Sequence, residues 1–234
     1  MKTAVVTGAG SGVGKAVAIK FAAEGWRVAL VGRRAETLAN TAALADAGGR
    51  LASFECDVSD PDAVAGMGTA VLEHFGDVDV LVNAAGINVP RRSFERLSNE
   101  DWHRVLATNL HGAFYCVQAF LPGMRARKSG TIVNINSDVG KMARDLAGAA
   151  YVSSKFGLLG LTQQINAEER GHGVRACSIC PRDINTPLLD QRPQPPSPEA
   201  RARMLQPEDV AACVWLAATL PERVVLDEIS LSTR

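Results

Sequence analysis

The sequence predicts an α/β fold: a doubly wound parallel sheet flanked by helices on both faces, in a single domain spanning residues 1–234. Three observations predict it. Short apolar runs of strand length alternate with longer helix-like segments through most of the chain, the pattern of a parallel sheet covered on both faces. The first run, 3–7, ends in a glycine-rich turn, Gly8-Ala-Gly10-Ser-Gly12-Val-Gly14, that leads straight into a helix-like segment. At 234 residues the chain fits one undivided α/β domain better than two. The composition, 47% hydrophobic and 21% charged with zero formal net charge, gives no electrostatic bias toward nucleic acid or an acidic membrane. The opening apolar stretch is too short for a secretory or membrane-spanning segment, which predicts a cytoplasmic protein.

Taken in order, strand 3–7, the glycine turn and helix 15–25 form the layout that binds phosphate. The glycines permit a tight turn and close approach of backbone to a pyrophosphate, whose charge sits at the helix N-terminus. Strand 27–31 ends at Gly32-Arg33-Arg34. An acid at this point would bind ribose hydroxyls; two guanidinium groups instead suit a 2'-phosphate, or are solvated loop charges. A polar helix is expected over 35–47, closed by Gly48-Gly49, then strand 51–56 delivering Asp57-Val58, where a carboxylate can receive an adenine amino group. Helix 62–75 and strand 78–82 follow, opening into Asn83-Ala84-Ala85-Gly86, small residues that let a flat ring or ribose lie close to the backbone.

Ser98 precedes an acid by three residues, the chemistry of a helix start, and that helix is expected to reach Met124 with a bend. Asn109 sits in its middle among apolar residues, where an amide must find hydrogen bonds. Strand 131–135 delivers Asn136-Ser137, and the next helix runs through Glu169. Within it Tyr151 and Lys155 are four apart and share a face. A free phenol titrates near pH ~10; an adjacent ammonium favours phenolate and brings it toward neutrality, so the pair can exchange a proton with an alcohol or carbonyl oxygen. Five scattered cysteines are expected to be reduced thiols, and Cys177 and Cys180 lie three apart in a strand, pointing to opposite faces. No metal constellation is evident; His74, His103, His111 and His172 are spread out.

In this order the residues resemble the short-chain dehydrogenase/reductase family over nearly the whole chain. Thr7-Gly8-x-x-x-Gly12-x-Gly14 resembles its cofactor loop, Asp57 its adenine-contacting acid, Asn83-Ala84-Ala85-Gly86 its sheet-stabilising motif, and Asn109, Ser137, Tyr151 and Lys155 its catalytic tetrad. The resemblance implies a Rossmann-type domain and an oxidoreductase that interconverts a carbonyl and a secondary alcohol by hydride transfer. Tyr151 would be the general acid/base, Lys155 would lower its pKa and hold the nicotinamide ribose, Ser137 would bind the substrate oxygen, and Asn109 would anchor a water relaying protons to Lys155. Cofactor contacts are expected from Gly8, Ser11, Gly12, Val13, Gly14, Asp57, Val58, Asn83, Ala84, Gly86, Tyr151, Lys155, Pro181, Ile184 and Thr186. With Arg33 and then Arg34 at the second strand end, NADP(H) is expected to be preferred, with NAD(H) possible.

Two departures stand out. Ser137 and Tyr151 are fourteen apart, one more than usual, and Arg182 occupies a position where the family carries glycine. Arg182 crowds the nicotinamide site, reaches toward an anionic substrate, or points outward. A proline-rich stretch within 187–205 implies a short substrate lid and an open pocket, followed by a helix to about 220 and a closing strand 224–231. The pocket is expected to draw on 87–92, 139–146 and 187–189, with Arg91, Arg92, Lys141 and Arg144 either favouring an acidic substrate or forming a solvated rim. A 3-oxoacyl thioester, a small ketone and a sugar or polyol all remain open as substrate. The competing function is a nucleotide-binding sensor or scaffold of the same fold with impaired catalysis, motivated by Arg182 and the longer loop. The resemblance also implies a homotetramer or homodimer, and 114–116 and 156–159 are compatible with apolar faces between subunits.

Overall fold

In the computed structural model, which describes residues 1–45, 48 and 50–234, the strands are β1 (Thr3–Thr7), β2 (Arg27–Gly32), β3 (Leu51–Glu55), β4 (Val80–Asn83), β5 (Gly130–Ile135), β6 (Val174–Pro181) and β7 (Glu228–Leu231). They form one sheet in the order β3-β2-β1-β4-β5-β6-β7, with every pairing parallel. The chain winds outward from β1 to β3, then crosses back to build β4 to β7 on the other side. That reversal leaves a crevice beyond the carboxyl ends of β1 and β4, where open α/β sheets bind ligands.

The helices are α1 (Gly12–Ala23), α2 (Ala35–Ala45), α3 (Pro61–Phe75), α4 (Asn99–Leu106), α5 (Gly112–Arg127), α6 (Ala149–Glu169), α7 (Pro198–Ala202) and α8 (Pro207–Thr219). Adjacent strand residues point to opposite faces, and both faces are covered. Val6, Leu30, Val82 and Val133 pack with Val17 and Phe21 of α1, Leu38 of α2 and Val214 of α8. Val5, Val31, Leu81 and Ile132 pack with Val71 of α3, Phe120 of α5 and Ile165 of α6. Burial on both faces explains why the central strands read as continuous apolar runs rather than alternations. Four helix starts are fixed by side chains: Asp60 accepts from the Asp62 and Ala63 amides at the Pro61 start, Ser98 accepts from the Asp101 amide, Ser197 accepts from the Ala200 amide, and Gln206 with Asp209 forms a reciprocal capping box.

Several boundaries differ from expectation for physical reasons. α1 starts at Gly12, taking in the last glycines of the turn, and the expected end of α2 at 46, 47 and 49 lies outside the described residues. The bend in the Asn109 helix is a π-helical turn, Ala107–His111, and the helix then runs on to Arg127 despite Pro122. The last strand begins at Glu228 rather than at 224, because the Pro221 and Val224 carbonyls are taken by the Arg175 guanidinium instead of a neighbouring strand. Of the apolar faces expected between subunits, only part is outward: Phe114 and Phe156 are 43% and 45% exposed, whereas Cys116 and Leu158 are core residues. No helix among the described residues is long and apolar enough to cross a membrane.

Candidate active site

The end of β1 and the loop after β4 are stitched together by one hydroxyl. Thr7 Oγ1 accepts from the amides of Ala84 and Ala85 at 3.0 and 3.1 Å. This brings Gly8 (φ +66°) so close to the second loop that a Cβ there would stand 2.9 Å from Ala84 O. Only glycine fits. A Cβ at Gly14 would likewise run into Gly8 O, so Gly14 lies beneath the loop and sets its close packing on α1 rather than lining the cleft. Ser11 caps α1 without using its side chain, and the first turn of α1 carries no acid, so its amides face an approaching anion unopposed.

The resulting cleft has two halves. One is lined by Gly8, Ser11, Gly12, Val13, Ala84, Gly86, Tyr151, Lys155, Ile184 and Thr186. The other is lined by Gly8, Ser11, Arg33, Arg34, Asp57, Val58 and Gly86. Asp57 accepts from the Ser59 amide and hydroxyl at 3.0 and 2.7 Å, and Arg33 Nη1 lies 3.8 Å from it. Burial pushes the Asp57 carboxyl up, but the Ser59 bonds and Arg33 outweigh it and hold the group below its usual value. Asn83 stays out of the cleft, donating to Asn134 Oδ1 at 2.9 Å across β4 and β5; Pro181 lines the adjoining pocket instead. A glycine cradle that a Cβ would fill, free helix amides and two arginines at the far end fit a dinucleotide with a phosphorylated ribose.

α6 delivers Tyr151 and Lys155 to one place. Lys155 is 4% exposed; its Nζ donates to Ile135 O at 2.8 Å and sits 5.5 Å from the centre of the Tyr151 ring. Burial brings its pKa down to about 8. The expectation that Lys155 draws the phenol toward neutrality is not met by the protein groups alone. Burial dominates and, against the lowering effect of the Ser137 hydroxyl, pushes Tyr151 up to about 12. Tyr151 therefore holds its proton at neutral pH. Ser137 Oγ donates to Asp138 Oδ1 at 3.2 Å and accepts from the Val139 amide. Asn109, in the π turn, has its amide committed: it accepts from Ile87 N at 2.8 Å and donates to Ile87 O and Ser154 Oγ. Its side chain thus braces the loop after β4 against α6.

Beside Tyr151 a cavity of about 150 Å³ is lined by Asn88, Arg92, Ser137, Asp138, Arg144, Arg182, Asp183, Leu189 and Arg192. The long Ser137–Tyr151 connection absorbs its length in two 3-10 turns, Asp138–Gly140 and Asp145–Ala147, and ends at Gly148 (φ +82°), where a Cβ would strike Arg92. Arg182 needs no left-handed backbone, since Lys128 is the one non-glycine residue with positive φ among those described. Its Nε lies 3.5 Å from Asp138 Oδ2, and it lines this cavity but not the dinucleotide cleft.

Of the four basic residues expected at the pocket, two fall elsewhere: Arg91 is exposed, and Lys141 pairs with Glu228. Arg92 is neither rim nor surface but 8% exposed, donating to the carbonyls of Val89, Leu146 and Gln191. It thereby ties the segment after Thr186 to the Tyr151 loop. That segment holds a 3-10 turn, Pro187–Gln191, and the short α7, and it closes on itself where Asn185 N donates to Leu205 O. Asn88 falls within the expected pocket segment 87–92, whereas Asp138 and Arg192 were not singled out from sequence; only their place next to Ser137 or the prolines hints at them.

A family model described as short chain dehydrogenase matches residues 2–196. A 3beta-hydroxysteroid dehydrogenase from Mediterraneibacter gnavus is 39% identical over 81% of this chain and 68% of its own length. A D-threitol dehydrogenase from Mycolicibacterium smegmatis is 37% identical over 93% of this chain and 86% of its own. Among solved structures, an alcohol dehydrogenase from the archaeon Thermococcus sibiricus, complexed with 5-hydroxy-NADP, superposes with TM-score 0.89 at 30% identity, covering 100% of this chain and 97% of that one.

Proposed function

The chain belongs to the short-chain dehydrogenase family and is an oxidoreductase, and from that premise we propose that it reduces a carbonyl to a secondary alcohol with NADPH, using Tyr151 as the proton donor. The observation that carries this is the position of Tyr151, which lines both the dinucleotide cleft and the cavity holding Ser137. A group there can touch what occupies either space. NADPH, when bound, supplies the hydride that the carbonyl carbon accepts.

Everything else is done by the chain's own residues. Gly8, Ser11, Gly12 and Val13 with the start of α1 hold the pyrophosphate, while Gly14 packs beneath them. Arg33 and Arg34 hold the 2'-phosphate, and Asp57 and Val58 the adenine. Ala84, Gly86, Ile184 and Thr186 position the nicotinamide end, with Asn83 and Pro181 fixing the strand ends behind it. Ser137 hydrogen-bonds the carbonyl oxygen, Tyr151 gives its proton to that oxygen as the hydride arrives, and solvent returns the proton. With its phenol held protonated at neutral pH, Tyr151 is in the correct state to donate. Lys155 supplies the buried positive charge that stabilises the tyrosinate left behind, and Asn109 is a positioning residue acting through Ile87 and Ser154. Residues 187–205 form the substrate lid, the oligomer is a homotetramer or homodimer, and the protein works in the cytoplasm.

The test is initial-rate oxidation of NADPH and NADH against a cyclic ketone, a diketone, an aryl ketone, a keto-sugar and an acetoacetyl thioester. Turnover should be faster with NADPH, and Tyr151→Phe should lose about 10²- to 10⁴-fold in kcat while still binding NADPH by fluorescence titration. Undiminished turnover in Tyr151→Phe removes the tyrosine from the mechanism.

A further inference from the structure

The cavity beside Tyr151 carries more positive charge than its fold requires. Four arginines line it, Arg92, Arg144, Arg182 and Arg192, against two carboxylates, Asp138 and Asp183, an excess of two formal charges. The carboxylates are already shared out. Asp183 pairs with Arg192; Asp138 Oδ2 lies 2.6 Å from Arg144 Nη2 and 3.5 Å from Arg182 Nε. Neither approach to Asp138 Oδ2 has the alignment of a hydrogen bond, so this buried oxygen has no directed donor. Arg92 is buried with carbonyl partners only. Those carbonyls satisfy three of the five N–H groups a guanidinium carries, and none neutralises its charge.

Burying a cation without an anion costs stability, and after burial the largest influence lowering the Arg92 pKa is the like charge of Arg192. The arrangement is stable in spite of this feature, not because of it. The excess lies in a partly enclosed space, where an opposite charge interacts more strongly than in water. It also lies on the wall facing Ser137 and Tyr151, the two groups assigned to the reacting oxygen. Resting on the oxidoreductase reading above, we propose that the substrate is a short oxo acid, or the matching hydroxy acid, whose carboxylate is received by the Arg92, Arg182 and Arg192 side of this cavity. With a volume of about 150 Å³, the cavity suits a chain of a few carbons.

The experiment compares 2-oxobutyrate, 3-oxobutyrate and 4-oxopentanoate, each with its methyl ester, on wild type and Arg182→Gln. Arg182 is chosen because its side chain is 52% exposed and makes one long contact, so its replacement leaves the fold intact; Arg92, which braces the lid, is the riskier variant. At least one acid should exceed its ester in kcat/KM by about 100-fold, and Arg182→Gln should lower the acid by about 10-fold and leave the ester unchanged. Equal turnover of acids and esters, or an equal loss for both in Arg182→Gln, overturns the carboxylate site while leaving the reductase intact.

Calorimetric titration of the same compounds into NADP⁺-saturated Tyr151→Phe gives a readout independent of turnover. Acid-selective binding that weakens in the Arg182→Gln, Tyr151→Phe double variant supports the site even if no carbonyl in any panel is reduced, in which case it is the reductase reading that falls. No acid binding overturns the site.

Discussion

Two arginines are buried to nearly the same degree at opposite ends of the sheet, Arg175 at 9% exposure and Arg92 at 8%, yet they are held differently. Arg175 enters β6 at its amino end. Its Nε donates to Thr131 Oγ1, and its two Nη atoms reach Leu220 O, Pro221 O and Val224 O. Burial lowers its pKa, but the nearby Glu222 pushes back with the opposite charge. Arg92 stands at the carboxyl end with three carbonyls, and burial is there reinforced by the like charge of Arg192. The same residue type at the same burial is thus a clamp with four of five N–H groups bonded and an acid nearby at one end, and a cation with three bonded and a like charge nearby at the other. In a parallel sheet the amino end is where the fold is tied and the carboxyl end is where ligands are met.

The largest effect expected from breaking this contrast is at the clamp. Arg175→Met leaves a hydroxyl and three carbonyls without their donor, each costing about 1 kcal/mol or more, and should destabilise the protein by about 4 kcal/mol, lowering Tm by roughly 10 °C. Well below that Tm, NADPH affinity should equal that of wild type. Thermal melts paired with NADPH titration decide the matter: weakened cofactor binding with an unchanged Tm would mean that the two ends are not separate in function.

Much of this architecture was legible before any coordinates, and the reason is that its signals are local. A strand buried on both faces is a run of apolar residues whatever surrounds it, and the glycine turn after Thr7 declares its own backbone. Tyr151 and Lys155 meet because a helix brings residues four apart together. What escaped is set by distant partners. Arg92 read as a loop charge, and loop charges are usually solvated; its burial depends on Gln191, ninety-nine residues away. Lys141 read as a pocket residue because it follows Val139 in sequence, yet it pairs with Glu228 at the start of β7. A bend in this helix was foreseen, whereas its place at the π turn around Asn109 and the capture of Ile87 were not.

A third buried cation, Lys155, sharpens the comparison at an intermediate scale. It lies at the ligand end, where its Nζ donates to Ile135 O, and its pKa of about 8 lies below the ordinary lysine value of 10.5. A lowered lysine pKa means the folded protein disfavours the charged form. The penalty is fully present below about pH 8 and fades as pH rises toward 10.5, because the unfolded chain still holds a proton that the folded chain has released. Wild-type stability relative to Lys155→Met should therefore rise by about 2 kcal/mol between roughly pH 7 and pH 9.5. Tyr151 acts in the opposite direction only above pH ~10, where an unfolded tyrosine begins to ionise. Urea melts of both proteins across that window measure the difference; a flat result would mean that Lys155 is as well compensated as Arg175.

The smallest effect belongs to a cation that is not buried at all. Lys141 pairs with Glu228 and lies 3.3 Å from Ser230 Oγ, with its side chain 43% exposed. An exposed pair of this kind contributes little, because water and salt screen it and two long side chains must be held still. Lys141→Ala should leave Tm within the error of a melt. It should also leave the ratio of acid to ester turnover unchanged, whereas Arg182→Gln lowers that ratio about 10-fold. The two substitutions each remove one positive charge and alter the protein's net charge equally. If the acid preference follows net charge, both variants lose it together. If it follows the wall facing Tyr151, only Arg182→Gln does, and the excess charge of the cavity is then a property of place rather than of the surface as a whole.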